Sequence, residues 1–170
     1  MNINDIEDRT QFENTRLIPA LKTMYCGVFG EDKPIICGST SLYLQGIYFD
    51  DFPNDIDIML DDEYSVECKI KMMRPIVNRF GFNCDVLPYK CPEQYKKIIN
   101  INGVDIRIQD AYNIINYWIP FLIDVYIERN NTEKVDKHKQ HLRHIKENYP
   151  DYFDEKNNIY LDDDETSDDN

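Results

Sequence analysis

The alternation of apolar and polar positions divides the chain into short segments with the periods of strands and helices. Residues 34–37 form an apolar run that ends at Gly38, which is typical of a buried strand. Residues 39–46 carry three apolar side chains and predict a short helix that begins at this turn. Residues 55–60 alternate between acidic and apolar side chains, and this period of two predicts a half-buried strand. A strand, a short helix and a second strand are therefore expected in close succession.

Further elements are predicted on both sides of this segment. Apolar residues near helical spacing indicate helices, and two strand-like runs around Asn102-Gly103 indicate a hairpin, because this dipeptide favours a tight turn. The predicted helices cover residues 10–29, 66–80, 110–128 and 132–148, and the further predicted strands cover residues 82–88, 95–102 and 104–109. This order predicts an α/β fold (α+β in the stricter sense), in which helices flank a small mixed sheet and the C-terminal part is helical.

The length of the chain and the composition of its last segment predict the domain organisation. A chain of 170 residues favours a single domain with one core. Residues 151–170 carry nine acidic residues and one lysine, and residues 162–170 are of low complexity. We therefore predict one domain over residues 1–150, followed by an acidic, mostly disordered tail over residues 151–170.

Charge and hydropathy restrict the partners of the protein. The formal net charge of −13 argues against general DNA binding, because affinity for phosphate backbones depends on clustered lysine and arginine. The same charge is compatible with a cationic acceptor, such as an aminoglycoside-like molecule or a basic protein patch. The longest apolar stretch, residues 117–123, is too short to span a bilayer, so no membrane partner is expected. The N-terminal residues lack a signal-peptide core and the five cysteines are scattered, which together predict a cytoplasmic protein with free thiols.

Two carboxylates on the predicted strand over residues 55–60 are the main candidates for chemistry. Side chains two positions apart share a face of a strand, so Asp55 and Asp57 point the same way while Ile56 and Ile58 point towards a core. Two neighbouring carboxylates repel each other and need a counter-charge. Mg²⁺ prefers carboxylate oxygens together with substrate phosphates, and two such ions can activate an attacking oxygen and stabilise a leaving pyrophosphate. The alternative interpretation is a pair of solvated acids at the end of a strand.

The turn after the first strand favours a phosphate ligand. A helix that begins at Gly38-Ser39 offers unpaired backbone N–H groups, and glycine allows close approach of a phosphate. The Ser39 hydroxyl can cap this helix or donate to a phosphate oxygen. Together with the Asp-x-Asp strand that follows, this turn predicts a site for a nucleoside triphosphate on divalent metal.

The chain resembles the nucleotidyltransferase superfamily (the polymerase-beta-like group) in the run Gly38-Ser39-Thr40-Ser41-Leu42, in Gly46 and in Asp55-Ile56-Asp57. The likeness covers about residues 34–118 and is greatest to small bacterial members of the minimal and toxin–antitoxin type. It implies transfer of a nucleoside monophosphate from a triphosphate, with ATP the expected donor, to a hydroxyl group of a small molecule, a tRNA or a protein. It also implies Mg²⁺ or Mn²⁺ as cofactor, Gly38, Ser39 and Thr40 as triphosphate-binding residues, and Asp55 and Asp57 as catalytic metal ligands.

The resemblance implies a third carboxylate on a later strand, and two residues compete for this role. Asp85 lies in the strand that follows the next predicted helix, and the order of elements favours it as a catalytic residue and metal ligand. Asp105 lies one strand further along the chain and is the alternative. For either residue, the plain structural interpretation is a carboxylate at a strand end that pairs with a basic side chain.

Two departures from the family pattern leave a second function open. Close relatives often carry an arginine four residues before the first aspartate, where this chain has Asp51. Relatives also often carry a lysine one turn into a later helix, where Asn116, Tyr117 and Trp118 stand here. The alternative function is therefore a catalytically inactive nucleotidyltransferase-like fold that serves as a binding or regulatory module. A third possibility is an interaction protein whose acidic tail mimics nucleic acid.

Other constellations are weaker. Tyr43, Tyr48 and Phe49 lie near the motif and could stack on a base, although core packing is the favoured interpretation. His138, His141 and His144 recur every three residues on the last predicted helix, and a solvated basic face is favoured there over a metal site.

Overall fold

A computed structural model describes residues 3–27, 33–61 and 66–162 of the chain. The principal helices are α1 (Ile3–Phe12), α2 (Ile18–Gly27), α3 (Gly38–Leu44), α4 (Val66–Asn78), α5 (Ala111–Asn113), α6 (Ile119–Glu128) and α7 (Thr132–Asn148). The strands are β1 (Ile35–Cys37), β2 (Asp55–Met59), β3 (Asn83–Val86), β4 (Lys96–Ile101) and β5 (Val104–Gln109). No helix in these described ranges is long and apolar enough to cross a membrane.

The five strands of the described residues form one mixed sheet in the order β3-β2-β1-β5-β4. Strand β1 is antiparallel to β2 and parallel to β5, while β2 is parallel to β3 and β4 is antiparallel to β5. The predicted hairpin joins β4 to β5, and both Asn102 and Gly103 have positive φ angles, as a tight hairpin turn requires. The predicted fold class, a mixed sheet flanked by helices with a helical C-terminal part, is confirmed.

The strand register separates an apolar face of the sheet from a face that carries the acidic residues. The apolar face consists of Ile36, Ile56, Ile58, Cys84, Ile106 and Ile108, all of which are buried. Side chains from the three helices α1, α2 and α4 complete the same core, among them Phe12, Leu21, Met24, Met73 and Val77. Each buried isoleucine contributes about 1.5–3 kcal/mol, so this face fixes the positions of β1, β2 and β3.

In the described part of the chain, two π-helical turns interrupt the helices, and each stands directly before a helix with proline at its second position. Glu13–Leu17 precedes Pro19, and Ile114–Trp118 precedes Pro120. Proline has no N–H to donate and its ring clashes with the carbonyl one turn back, so a widened turn accommodates it. Pro19 and Pro120 therefore each follow a widened turn within a continuing helix.

The chain divides into two compact units, Met1–Asp110 and Ala111–Asn170, where the sequence predicted one domain over residues 1–150. In the second unit, Pro150–Tyr152 and Glu155–Tyr160 form 3₁₀ helices, and Phe153 and Asn157 are buried. The segment predicted as a mostly disordered tail is thus folded as far as residue 162, and residues 163–170 lie outside the described ranges.

Candidate active site

The predicted carboxylates lie where β1 ends and β2 and β3 begin. In the strand register, Asp57 is directly opposite Cys37 on β1 and directly beside Asp85 on β3. Asp55 lies two residues from Asp57 on the same strand and beside Asn83. Neighbouring strands are about 4.8 Å apart, and paired residues present their side chains on the same face. Three carboxylates therefore share one end and one face of the sheet.

Gly38 brings the turn after β1 against the carboxylate of Asp57. Its φ angle is +63°, which L side chains rarely adopt, and a β-carbon built on it would stand 2.8 Å from Asp57 Oδ2. Real β-carbon contacts are almost never shorter than 3.0 Å. Both the backbone conformation and the contact with Asp57 thus require glycine here.

Hydrogen bonds from helix α3 fix the turn relative to the neighbouring strands. The buried hydroxyl of Thr40 donates to the Asp55 carbonyl at 2.5 Å, and the Ser41 hydroxyl donates to the Gln109 carbonyl at 2.7 Å. Thr40, expected to bind the triphosphate, therefore supports the strand that carries Asp55. Ser39 is partly exposed, so its hydroxyl is the one in this run that a ligand can reach.

Asn83 is a site residue that the sequence reasoning missed. Its side-chain amide donates to Asp55 Oδ1 at 3.1 Å, which holds one carboxylate oxygen and leaves the other for a ligand. The sequence contained a signal: Asn83 precedes Asp85 by two positions, as Asp55 precedes Asp57. Parallel neighbouring strands with this matched spacing bring the two pairs into register.

Arg74, on α4, is the second residue that was missed. Its guanidinium Nη2 lies 3.8 Å from Asp85 Oδ1, and its Nε donates to the Cys84 carbonyl at 3.4 Å. Both charged side chains are more than half exposed, so solvent weakens the ion pair to at most about 1 kcal/mol. Arg74 nevertheless places a positive charge next to the third carboxylate.

Asp105, the alternative third carboxylate, lies elsewhere on the sheet. It is on β5, two strands from Asp57, and the register displaces it four residues along the strand axis. With about 3.3 Å per residue and 4.8 Å per strand, the two Cα atoms are roughly 16 Å apart. The Asp105 carboxylate accepts a hydrogen bond from Asn100 across the hairpin at 2.8 Å. The register therefore groups Asp85, and not Asp105, with Asp55 and Asp57.

The thiols of Cys37 and Cys84, beside the carboxylates, have raised pKa values. Burial raises the pKa of Cys37 well above its usual value, and the nearby Asp57 carboxylate raises it further. Burial, together with Asp57 and Asp85, raises the pKa of Cys84 to about 12. Both thiols stay protonated near neutral pH and are poor nucleophiles and poor metal ligands. The chemistry of the site rests on oxygen donors.

The carboxylates suit a hard divalent cation in kind but do not form a closed ligand group. Carboxylate oxygens are the donors that Mg²⁺ and Mn²⁺ prefer. Within the described ranges, no three His, Cys, Asp or Glu side chains converge as a ready metal site. Asp55 and Asp57 therefore form the main donor pair on one strand, while Asp85 lies beside Arg74.

The other predicted residues lie apart from these carboxylates. Tyr43, Tyr48 and Phe49 line a separate cleft of the first unit. In the second unit, the ring of His138 stacks on Tyr126 with 5.6 Å between centroids. Burial lowers the pKa values of His138 and His141 to about 4. These two histidines are therefore half-buried packing residues, and the predicted solvated face is corrected at their positions.

Asp51 and Asn116, two positions where the chain differs from the nucleotidyltransferase pattern that it resembles, have defined local environments. Asp51 is exposed in the loop before β2. Asn116 is buried, and its amide donates to the Tyr152 carbonyl at 2.8 Å while its carbonyl accepts from the Asp154 N–H at 2.8 Å. Asn116 thus serves the structure of the second unit.

Comparison of the chain with protein-family models, with curated proteins and with solved structures found no match. The function is therefore inferred from the geometry and chemistry of the residues described above.

Proposed function

We propose that this protein is a metal-dependent nucleotidyltransferase that transfers a nucleoside monophosphate from a nucleoside triphosphate to a hydroxyl acceptor and releases pyrophosphate. One relationship carries the proposal: Asp57 touches the Gly38 turn and lies in register with Asp85. A turn suited to phosphate and carboxylates suited to metal therefore meet at one point, as the resemblance to the nucleotidyltransferase superfamily leads us to expect.

Asp55 and Asp57 would hold the metal in this proposal. A bound Mg²⁺ or Mn²⁺ would neutralise the triphosphate and polarise the phosphorus that is attacked. The donor set supports this assignment, because carboxylates on one strand face repel each other until a cation lies between them. Asn83 favours it further, since its hydrogen bond to Asp55 Oδ1 fixes the carboxylate without neutralising it.

Ser39 and the backbone of Gly38 would contact the phosphates. Helix α3 has only seven residues, so its dipole is a minor contribution and local N–H and O–H donors matter more. Arg74 would supply positive charge near Asp85, on the opposite side of Asp57 from the Gly38 turn. Arg74 would thus provide a positive charge near the site, where this chain has Asp51 in place of the arginine that relatives often carry.

The second candidate function is a binding or regulatory module with the same fold and no transfer activity. The open arrangement of the carboxylates in the described ranges favours it, as does the ion pair between Asp85 and Arg74. Asp51, an acid where relatives often carry an arginine, also weakens triphosphate binding in this alternative.

The test is transfer of label from each α-labelled nucleoside triphosphate, with Mg²⁺ or Mn²⁺, to a macromolecule or metabolite of a cell extract. Asp57→Asn is compared with Asp136→Asn, which removes one exposed carboxylate from α7. Labelling that Asp57→Asn abolishes and Asp136→Asn retains would establish transfer and identify the acceptor class. If no label appears but calorimetry detects binding of a metal–triphosphate complex, the protein is a binding or regulatory module without transfer activity. If neither appears, both proposals fail.

A further inference from the structure

A cleft in the first unit, separate from the carboxylate cluster, has the composition of a cation-binding site. It encloses about 310 Å³ and lies between α1, α3 and the loop before β2. Its walls include Asp8, Arg9, Tyr43, Tyr48, Phe49 and Asp50. Small-molecule sites begin at about 300 Å³, so the cleft has room for a small ligand or one long side chain.

The aromatic wall is held in place by its own packing. Tyr43 and Tyr48 meet edge to face with 5.0 Å between ring centroids. Phe52 lies 6.2 Å from Tyr43 and stacks on Phe12 at 4.5 Å. The Tyr43 hydroxyl donates to Glu13 Oε1 at 2.9 Å, which anchors this ring to the π-helical turn. Tyr43 is buried, so of these two tyrosines the partly exposed Tyr48 is the one that presents ring surface to the cleft. Its fixed position lowers the ordering cost of binding.

The charges at the cleft favour a positive ligand. Among the described residues that line it, Asp8 and Asp50 are acidic and Arg9 is the single basic residue. Glu13 stands behind Tyr43, and Asp51 follows Asp50 in the loop. A carboxylate or phosphate ligand would face this net negative charge, whereas a cation would be attracted by the acids and by the ring quadrupoles.

Arg9 shows that a planar cation fits one of these rings. Its guanidinium carbon lies 3.9 Å from the centroid of Tyr48, well within the range of cation–π contacts. The cleft volume of 310 Å³ excludes the space that the Arg9 side chain occupies, so this internal cation leaves the cleft open.

We propose that this cleft binds a small organic cation of the guanidinium class, whose plane packs on the ring of Tyr48 and whose N–H groups donate to the carboxylates of Asp8 and Asp50. This binding is independent of nucleotidyl transfer, because none of the cleft residues belongs to the carboxylate cluster. Arg9 would compete for the same rings and charges.

The test compares two probes of the same shape, N-butylguanidinium and N-butylurea, which differ in charge. Binding to the full chain is followed by NMR of labelled tyrosine rings, with titration to 50 mM. We expect the guanidinium to bind at least tenfold more tightly than the urea and to shift the Tyr43 and Tyr48 resonances. Equal affinities for the two probes, or no saturable shift with either, would overturn the proposal. It would also be overturned if only adenosine saturated the shifts of these rings, because the rings would then stack on a base.

Variants then locate the site. Asp50→Asn should weaken guanidinium binding at least threefold, whereas Asp136→Asn, the matched loss of charge on α7, should change it less than twofold. Tyr48→Phe keeps the ring and should retain binding, while Tyr48→Leu should weaken it at least fivefold. Arg9→Gln removes the competing cation and should strengthen binding, a gain that a purely structural role would not produce. Equal effects of Asp50→Asn and Asp136→Asn would contradict the assignment.

Discussion

Gly38 and Asp57 face each other so closely that the glycine has no room for a side chain while the carboxylate keeps its position. Gly38→Ala should therefore destabilise the protein by about 2–4 kcal/mol, through a positive φ angle and a steric contact. Gly46→Ala is the matched control, because Gly46 also has a positive φ angle but a β-carbon there would meet nothing within 4 Å. Its expected cost is only about 1 kcal/mol. Urea denaturation of both variants measures the difference, and equal costs would show that the contact with Asp57 is unimportant.

Removing a carboxylate from the cluster should stabilise the metal-free protein. Asp55 and Asp57 share a strand face, and Asp85 lies beside them, so Asp57→Asn relieves like-charge repulsion of about 0.2–1 kcal/mol. We expect a higher melting temperature for this variant without divalent metal, and a smaller rise in melting temperature when Mg²⁺ is added. The measurement is thermal denaturation with and without about 10 mM Mg²⁺. This metal concentration is about tenfold above a weak, millimolar dissociation constant. A drop in metal-free stability would mean that Asp57 makes favourable contacts that outweigh repulsion.

The assignment of the third carboxylate can be tested by a pair of substitutions. If transfer activity is found, Asp85→Asn should reduce it at least tenfold more than Asp105→Asn, because only Asp85 is in register with Asp57. Initial rates at saturating metal and triphosphate provide the comparison. The reverse order would transfer the role to Asp105 and require a different strand register.

The second unit should lose stability as the pH falls from 6.5 to 4. The unfolded chain protonates His138 and His141 near pH 6.5, whereas burial lowers their folded pKa values to about 4, so the unfolded state binds more protons in this interval. The expected loss is about 1–2 kcal/mol per histidine, after allowance for partial exposure. Fluorescence of Trp118, the only tryptophan, reports unfolding of this unit.

The double variant His138→Gln/His141→Gln identifies the groups responsible for this pH dependence. Its stability should change less between pH 6.5 and 4 than that of the parent protein. A comparison of the two proteins at pH 8 measures how much the substitutions themselves change the free energy of unfolding. An unchanged slope would mean that other groups cause the loss.

Asn116 should hold the C-terminal segment in place. Asn116→Ala leaves the Tyr152 carbonyl, the Asp154 N–H and the Asn157 amide without this partner, at a cost of about 2–4 kcal/mol. We expect faster proteolysis and hydrogen exchange over residues 150–162. Asn148→Ala, which loses one exposed hydrogen bond to His144, is the control. Equal protection of the segment in both variants would contradict the role of Asn116.

Local periodicity was sufficient to predict most of the sheet and the shared strand face of Asp55 and Asp57. The period of two in residues 55–60 is a property of the strand itself, so it predicted that Asp55 and Asp57 share a face. The contacts of Asp55 with Asn83 and of Asp85 with Arg74 depend on which strands pair and in what register. That information is spread over residues far apart in sequence, which is why these partners were missed.

Composition was a poorer guide than periodicity in the C-terminal part. The acidic residues of 151–170 suggested disorder, but Phe153 and Asn157 are buried and Asn116 binds the backbone on either side of Phe153. A few long-range contacts thus order a segment as far as residue 162 despite its average charge. In the same way, Tyr126 covers His138, which helical spacing alone had placed on a solvated face.

The π-helical turn Glu13–Leu17 has a consequence for how changes of chain length would act. A π turn has the effect of one extra residue in an α-helix, and one residue corresponds to about 100° of rotation. Glu13 reaches Tyr43 while Arg16 reaches the Gly81 carbonyl. A single-residue deletion in this turn would restore a regular α-helix but rotate the preceding segment, with Arg9, away from the aromatic rings. The extra residue of the π turn therefore changes the rotation about the helix axis. As a result, the residues before it and the residues after it face different surfaces of the protein.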